Sequence, residues 1–192
     1  MPENTNMPQQ KFRAFIAIEI SDACKKNIID VVQSLKQKKN YQTVKWTKPQ
    51  NLHITLNFLG NISQEQCQRL IYLIHNAAKD FDAFSIKLPS VTLFPSQKMP
   101  RAIVIEPQPI TPVVSLALTI NKLVEACDIP VEKRLFRPHL TLGKINKKPY
   151  PEKEMFNLPN MVIDVTNIKL FRSNITKERS VYTELACFDL KR

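Results

Sequence analysis

The alternation of apolar and polar positions divides this chain into short strands separated by three helical stripes. Residues 12–20 alternate at period two, with Arg13, Phe15 and Ala17 on one face and Ala14, Ile16 and Ile18 on the other, which predicts a strand. Ser21 caps a predicted helix whose apolar stripe is Cys24, Ile28, Val31, Val32 and Leu35. Residues 37–50 read as a basic connector holding the only tryptophan, Trp46. A strand over 51–59 closes at Gly60-Asn61. Ser63 and Gln66 then form a capping-box pattern that opens a second helix, with Cys67, Leu70, Ile71, Ile74, Ala77 and Ala78 on its apolar side. Residues 84–94 predict a strand broken at Pro89, and 101–106 predict another. Thr111-Pro112 reads as cap and first helical residue of a third helix reaching about residue 128. A strand over 136–142, a Lys/Pro-rich loop over 144–154 and two strands at 162–171 and 181–190, joined near Ser173-Asn174, complete the chain.

Within this pattern one tetrapeptide recurs. His53-Ile54-Thr55-Leu56 and His139-Leu140-Thr141-Leu142 stand about half the chain apart, each in a β-prone run. On a strand, His and Thr two apart share a face, and the aliphatic residues between them take the other. Each half of the chain owns one such strand and at least one helix, so the pattern predicts a pseudo-duplicated α+β architecture. Residues 1–11 read as a flexible lead-in, and 12–192 as one domain, because no linker is long enough to separate two.

Composition narrows the function classes. The 192 residues are 43% hydrophobic, enough for one good core or two small lobes. Lys and Arg number 28 against 17 Asp and Glu, a formal charge of +11 that favours polyanionic partners. Only Gly60 and Gly143 are glycines, so a Gly-rich phosphate loop is excluded and phosphate must be held by side chains. Cys24, Cys67, Cys127 and Cys187 stand singly, which excludes a zinc ribbon or CxxC redox site and predicts buried free thiols. Residues 1–10 are polar and do not read as a signal peptide. No stretch approaches the ~18 apolar residues of a membrane span. The expectation is a cytoplasmic protein with no membrane segment.

A lone His-x-Thr strand would be ordinary structure. Two copies in matching contexts, using two of only three histidines, point instead to chemistry. Paired imidazoles can hold one neutral and one protonated ring near neutrality, the combination needed to activate water and protonate a departing oxygen. Thr55 and Thr141 would supply hydroxyls to phosphate oxygens. His75, at the edge of a helical stripe, reads as a surface or structural histidine. No H-E-x-x-H, adjacent carboxylate or Cys pair completes a metal site around His53 and His139, so the expected chemistry needs neither metal nor cofactor.

Trp46, residues 51–60, Pro100-Arg101 and residues 137–142 together resemble the 2H phosphoesterases, and among them the RNA 2′,3′-cyclic phosphodiesterases, also called 2′-5′ RNA ligases. The resemblance covers about residues 12–190. It implies two lobes, each an antiparallel sheet with helices outside, facing across a central cleft. It implies opening of RNA or nucleotide 2′,3′-cyclic phosphate ends to 2′-phosphates by a monomer, with weak reversible 2′-5′ joining in some members. By position it assigns His53 and His139 as the acid/base pair, Thr55 and Thr141 as phosphate ligands, and Lys144 where an arginine is usual. It makes Phe15 a candidate nucleobase contact. Arg101, Arg134 and Arg137 are further candidates for the RNA backbone. Rival readings are a same-fold enzyme acting on ADP-ribose cyclic phosphate or 2′-5′ oligonucleotides, and a non-catalytic basic RNA-binding module.

Overall fold

The computed structural model describes residues 10–148, 150–151, 156–158, 161–176 and 180–192. The expected N-terminal lead-in falls largely outside them. β1 (Phe12–Glu19) leads into α1 (Asp22–Lys36), where the Ser21 hydroxyl accepts from the Cys24 amide. The connector that follows is not featureless: it contains β2 (Val44–Trp46), a three-residue strand too short for a periodic signal. β3 (His53–Ile62) runs on through Gly60, whose φ of 65° is a conformation that glycine adopts without strain. α2 (Gln64–Ala78) starts with both capping-box hydrogen bonds, at 3.1 and 3.0 Å.

β4 (Phe84–Lys87) and β5 (Ser90–Phe94) part beside Pro89 and enter different sheets, and β6 (Ala102–Ile105) follows. In α3 (Thr111–Glu125) the cap is Ile110, one residue earlier than expected, and Thr111 is already helical. β7 (Leu140–Ile145) begins four residues later than the sequence predicts and runs through part of the expected loop. Pro138 lacks the N–H a ladder needs, while Gly143, Lys144 and Ile145 pair with β2. β8 is Phe156–Asn157 and β9 is Val162–Val165, while β10 (Asn167–Ile175) and β11 (Ser180–Asp189) form the closing hairpin. The strand expected over 162–171 therefore splits at Thr166. β9 pairs with β4 and β10 with β1, and Ser173 and Asn174, where the sequence predicts the turn, lie within β10.

The architecture is α+β with two antiparallel lobes. One is ordered β11-β10-β1-β3, the other β7-β6-β5-β8 with β2 along β7. The lobes are not the two halves of the chain, because β10 and β11 return to close the first lobe and β2 crosses to the second. α3 packs against β3, and α2 lies against α3 and β11. Ile16, Ile18, Ile54, Ile103, Ile105, Leu140 and Leu142 are buried with the helix stripes in one continuous core. Fully burying each such side chain contributes about 1.5–3 kcal/mol. The lobes join where β3 and β7 share one registered pair, Ile54 with Leu140.

Both motif strands bulge at the same place. Thr55 pairs with Ala17 but Asn57 pairs with Ile16, so Leu56 is the extra residue. Thr141 pairs with Val104 but Gly143 with Ile103, so Leu142 is the extra residue there. A bulge resets the alternation. Strict period two from His53 would bury Phe58; instead Asn57 turns inward, donating to the Asn121 Oδ1 of α3, and Phe58 is 68% exposed. By the same reset Gly143 faces inward and Lys144 outward.

A Cβ on Gly143 would lie 2.5 Å from Val44 Cγ1 and 3.2 Å from Trp46 Cε3. Gly143→Ala is therefore expected to overpack the β2–β7 contact by about 1–3 kcal/mol. Thermal unfolding should show Tm lowered by roughly 3–10 °C.

Candidate active site

The pairing of Ile54 with Leu140 decides the geometry. In an antiparallel ladder the residues flanking a registered pair are cross-strand neighbours, so His53 lies beside Thr141 and Thr55 beside His139. All four occupy the face opposite the buried Ile54 and Leu140. The two motifs thus form a quartet related by a local twofold through the seam.

Each imidazole is fixed in the same way. His53 Nδ1 lies 2.7 Å from the Asn51 carbonyl oxygen, and His139 Nδ1 lies 2.7 Å from the Arg137 carbonyl oxygen. A carbonyl only accepts, so Nδ1 carries the hydrogen in both rings and Nε2 is left for chemistry. His53 Nε2 is 2.9 Å from Thr55 Oγ1, and in the neutral ring it accepts the threonine hydrogen. Asn51 is itself held, its amide donating to the Ser180 carbonyl at 3.0 Å.

The surroundings make the two rings unequal. His53 packs 4.9 Å from the buried Phe15 ring and 5.4 Å from Tyr182. Burial pushes its pKa below the ordinary 6.5; the bond to Asn51 works against that, and the charge of His139 adds to the lowering. His139 stacks on Phe94 at 4.5 Å, and the Arg137 guanidinium lies over the same Phe94 ring at 4.7 Å. Arg137 also donates to the Pro95 carbonyl at 3.2 Å and to Glu106 at 2.8 Å.

The model of LigT-like phosphoesterases matches residues 18–104. The RNA 2′,3′-cyclic phosphodiesterase of Aquifex aeolicus is 29% identical over 188 residues, covering 93% of this chain and 97% of the relative. That of Bacillus subtilis is 26% identical over 186 residues, covering 96% and 100%. The crystal structure of TT0787 of Thermus thermophilus superposes with a TM-score of 0.79 at 26% identity, covering 93% and 98%. That of E. coli LigT complexed with 3′-AMP does so with a TM-score of 0.81 at 22% identity, covering 95% and 100%.

The chain is similar to the LigT-like phosphoesterases in sequence and in fold.

The structure sorts the residues singled out from sequence. His53, Thr55, His139 and Thr141 come together, and the bulge after Leu142 turns exposed Lys144 onto their face. Lys45 of β2 pairs directly with Lys144 and is also exposed, a neighbour no sequence signal offered. Two like charges directly opposite are unfavourable until an anion joins them. Phe15 does not present a face for a base: it is 4% exposed, enclosed by His53, Phe58, Phe171 and Tyr182. Arg137 is committed to Phe94, Pro95 and Glu106 and supports His139 from behind, while Arg134 pairs with Glu132 on an exposed loop. Arg101 is exposed at the start of β6, next to Ala102, the partner of Lys144.

His75 is exposed on α2, in keeping with a surface role, and Cys24, Cys67 and Cys127 are buried. Cys187 is the exception. It is exposed, because β11 is an edge strand and alternation turns it outward. Among the described residues no group of three or more His, Cys, Asp or Glu side chains is placed to hold a metal ion, and no helix is long and apolar enough to cross a membrane. A cavity of about 450 Å³ lies elsewhere, lined in part by Glu19, Lys25 and Lys169. Those charges are already paired with one another, Lys25 to Glu19 at 3.3 Å and Lys169 to Glu19 at 2.6 Å, and neither imidazole lines it.

Imidazole ¹⁵N NMR should find His53 and His139 in the Nδ1–H tautomer when neutral. His53 should titrate below the usual histidine range and shift upward in His139→Gln, which removes the opposing charge.

Proposed function

We propose that this chain hydrolyses the 2′,3′-cyclic phosphate ends of RNA or nucleotides to 2′-phosphates without a metal. The observation that carries this reading is the cross-strand quartet, two imidazoles presenting Nε2 and two hydroxyls on one face of the seam. The name shared by the relatives, RNA 2′,3′-cyclic phosphodiesterase, supports the substrate class. A surplus of 28 basic over 17 acidic residues suits a polyanionic substrate.

In the proposed reaction His53 is the base, since burial favours its neutral form. Its Nε2 takes a proton from water as the water oxygen attacks phosphorus. The bond from phosphorus to O3′ breaks, and His139 Nε2 delivers its proton to O3′. The product is a 2′-phosphate with a free 3′-hydroxyl. The two rings end with exchanged protonation states, which solvent resets. Thr55 turns its hydroxyl from His53 to one non-bridging oxygen when substrate arrives, and Thr141 and Lys144 hold the other. With a 5′-hydroxyl of a second RNA in place of water, the same steps form a phosphorus–O5′ bond and a 2′-5′ linkage.

Four free cysteines suit a reducing cytoplasm, where the reading places the protein as a monomer.

The test is incubation with a nucleoside 2′,3′-cyclic phosphate in EDTA, with the product identified by ³¹P NMR. Only the 2′-phosphate should form; a 3′-phosphate, or no turnover on either a nucleoside or an oligonucleotide end, would overturn the reading. The rise of kcat/KM with pH should fall below pH 6.5, because the base is lowered from that value. His53→Ala and His139→Ala should each lose about 10²–10⁴-fold or more in kcat while keeping the wild-type Tm within a few degrees.

A further inference from the structure

The bulge after Thr55 does more than break a ladder. It lifts Phe58 out of the core and leaves it 68% exposed on the face that carries His53, with its ring 6.5 Å from Phe15. An exposed phenyl ring forgoes its burial, so a fold that turns one outward beside a reactive site leaves a stacking surface there. Half-buried Tyr182 already lies edge-on to His53, at 5.4 Å. Phe58 is the next ring along the face, reached through Phe15, which is 4.9 Å from His53. At the equivalent position of the second motif the same bulge presents Lys144. One end of the seam therefore offers a cation and the other an aromatic plane.

We propose that Phe58 is the stacking platform for the base of the nucleotide immediately upstream of the cyclic phosphate, so that the site is built for an RNA end rather than for a free nucleotide. The proposal rests on the cyclic-phosphate reading given above. Base–aromatic stacking tolerates any base, because each has a π-face, so the subsite recognises chain length and not sequence. The terminal nucleoside stays with Tyr182 and the quartet, and the upstream base covers the Phe58 ring.

The test compares kcat/KM for a dinucleotide ending in a 2′,3′-cyclic phosphate with that for the matching nucleoside 2′,3′-cyclic phosphate. The dinucleotide should be preferred by wild type, and the preference should fall about tenfold or more in Phe58→Ala, the size of one lost base–ring stack. Phe58→Trp should keep it, and a dinucleotide abasic at the upstream position should lose it in wild type. An unchanged preference in Phe58→Ala, or an equal loss on both substrates, would overturn the proposal. Binding of the 2′-phosphorylated dinucleotide to wild type and Phe58→Ala, with Tm as the folding control, separates the two readings. If wild type turns over neither substrate but Phe58→Ala still binds that dinucleotide about tenfold more weakly, the hydrolysis reading fails and the stacking platform stands. Equal binding by both proteins overturns the platform.

Discussion

A single backbone pairing, Ile54 of β3 against Leu140 of β7, is the constraint on which the site depends. A four-stranded and a five-stranded lobe of one nine-stranded sheet meet there edge to edge, and both partners are fully buried. Because an antiparallel pair is its own twofold, one registered contact suffices to set each histidine beside the other motif's threonine. A slip of one strand by one residue along this ladder would turn its histidine and threonine from solvent to core and break up the quartet. The aliphatic residues inside the motifs are thus as necessary to the chemistry as the polar ones, since their burial pins the register.

Local symmetry of the backbone is combined with asymmetry of environment. Both histidines are oriented by the carbonyl two residues earlier, and both strands bulge after the threonine. What packs around them differs. His53 sits among the rings of Phe15 and Tyr182, whereas His139 lies against Phe94 with Arg137 beyond it. Desolvation, and to a smaller extent the charge of the second ring, disfavour charge on the first. Duplicated geometry can in this way give two identical side chains different surroundings.

The positive charge is likewise divided by the fold. Arg137 and Arg134 are engaged with carboxylates, and Lys169 is shared between Glu19 and Glu184. The lysines left facing the seam, Lys45 and Lys144, come from different lengths of chain and meet only because β2 crosses to pair with β7. Like charges directly opposite on paired strands repel, so this contact weakens the protein unless an anion lies between them.

The helices, the capping box at Ser63 and Gln66, and the faces of β1 and of the two motifs were legible from residue order, because helix and strand periods are local properties of the chain. So was the pairing of His53 with His139, carried by the repeated tetrapeptide. Other features were not: the three-residue β2, the return of β10 and β11 to the first lobe, the enclosure of Phe15 and the outward turn of Phe58. Each depends on which strands become neighbours and on where a ladder gains an extra residue. The sequence by itself determined that the histidine and threonine of each motif share a face of their own strand. Only the tertiary structure decided what lies across from that face, because cross-strand partners are set by the packing of distant segments.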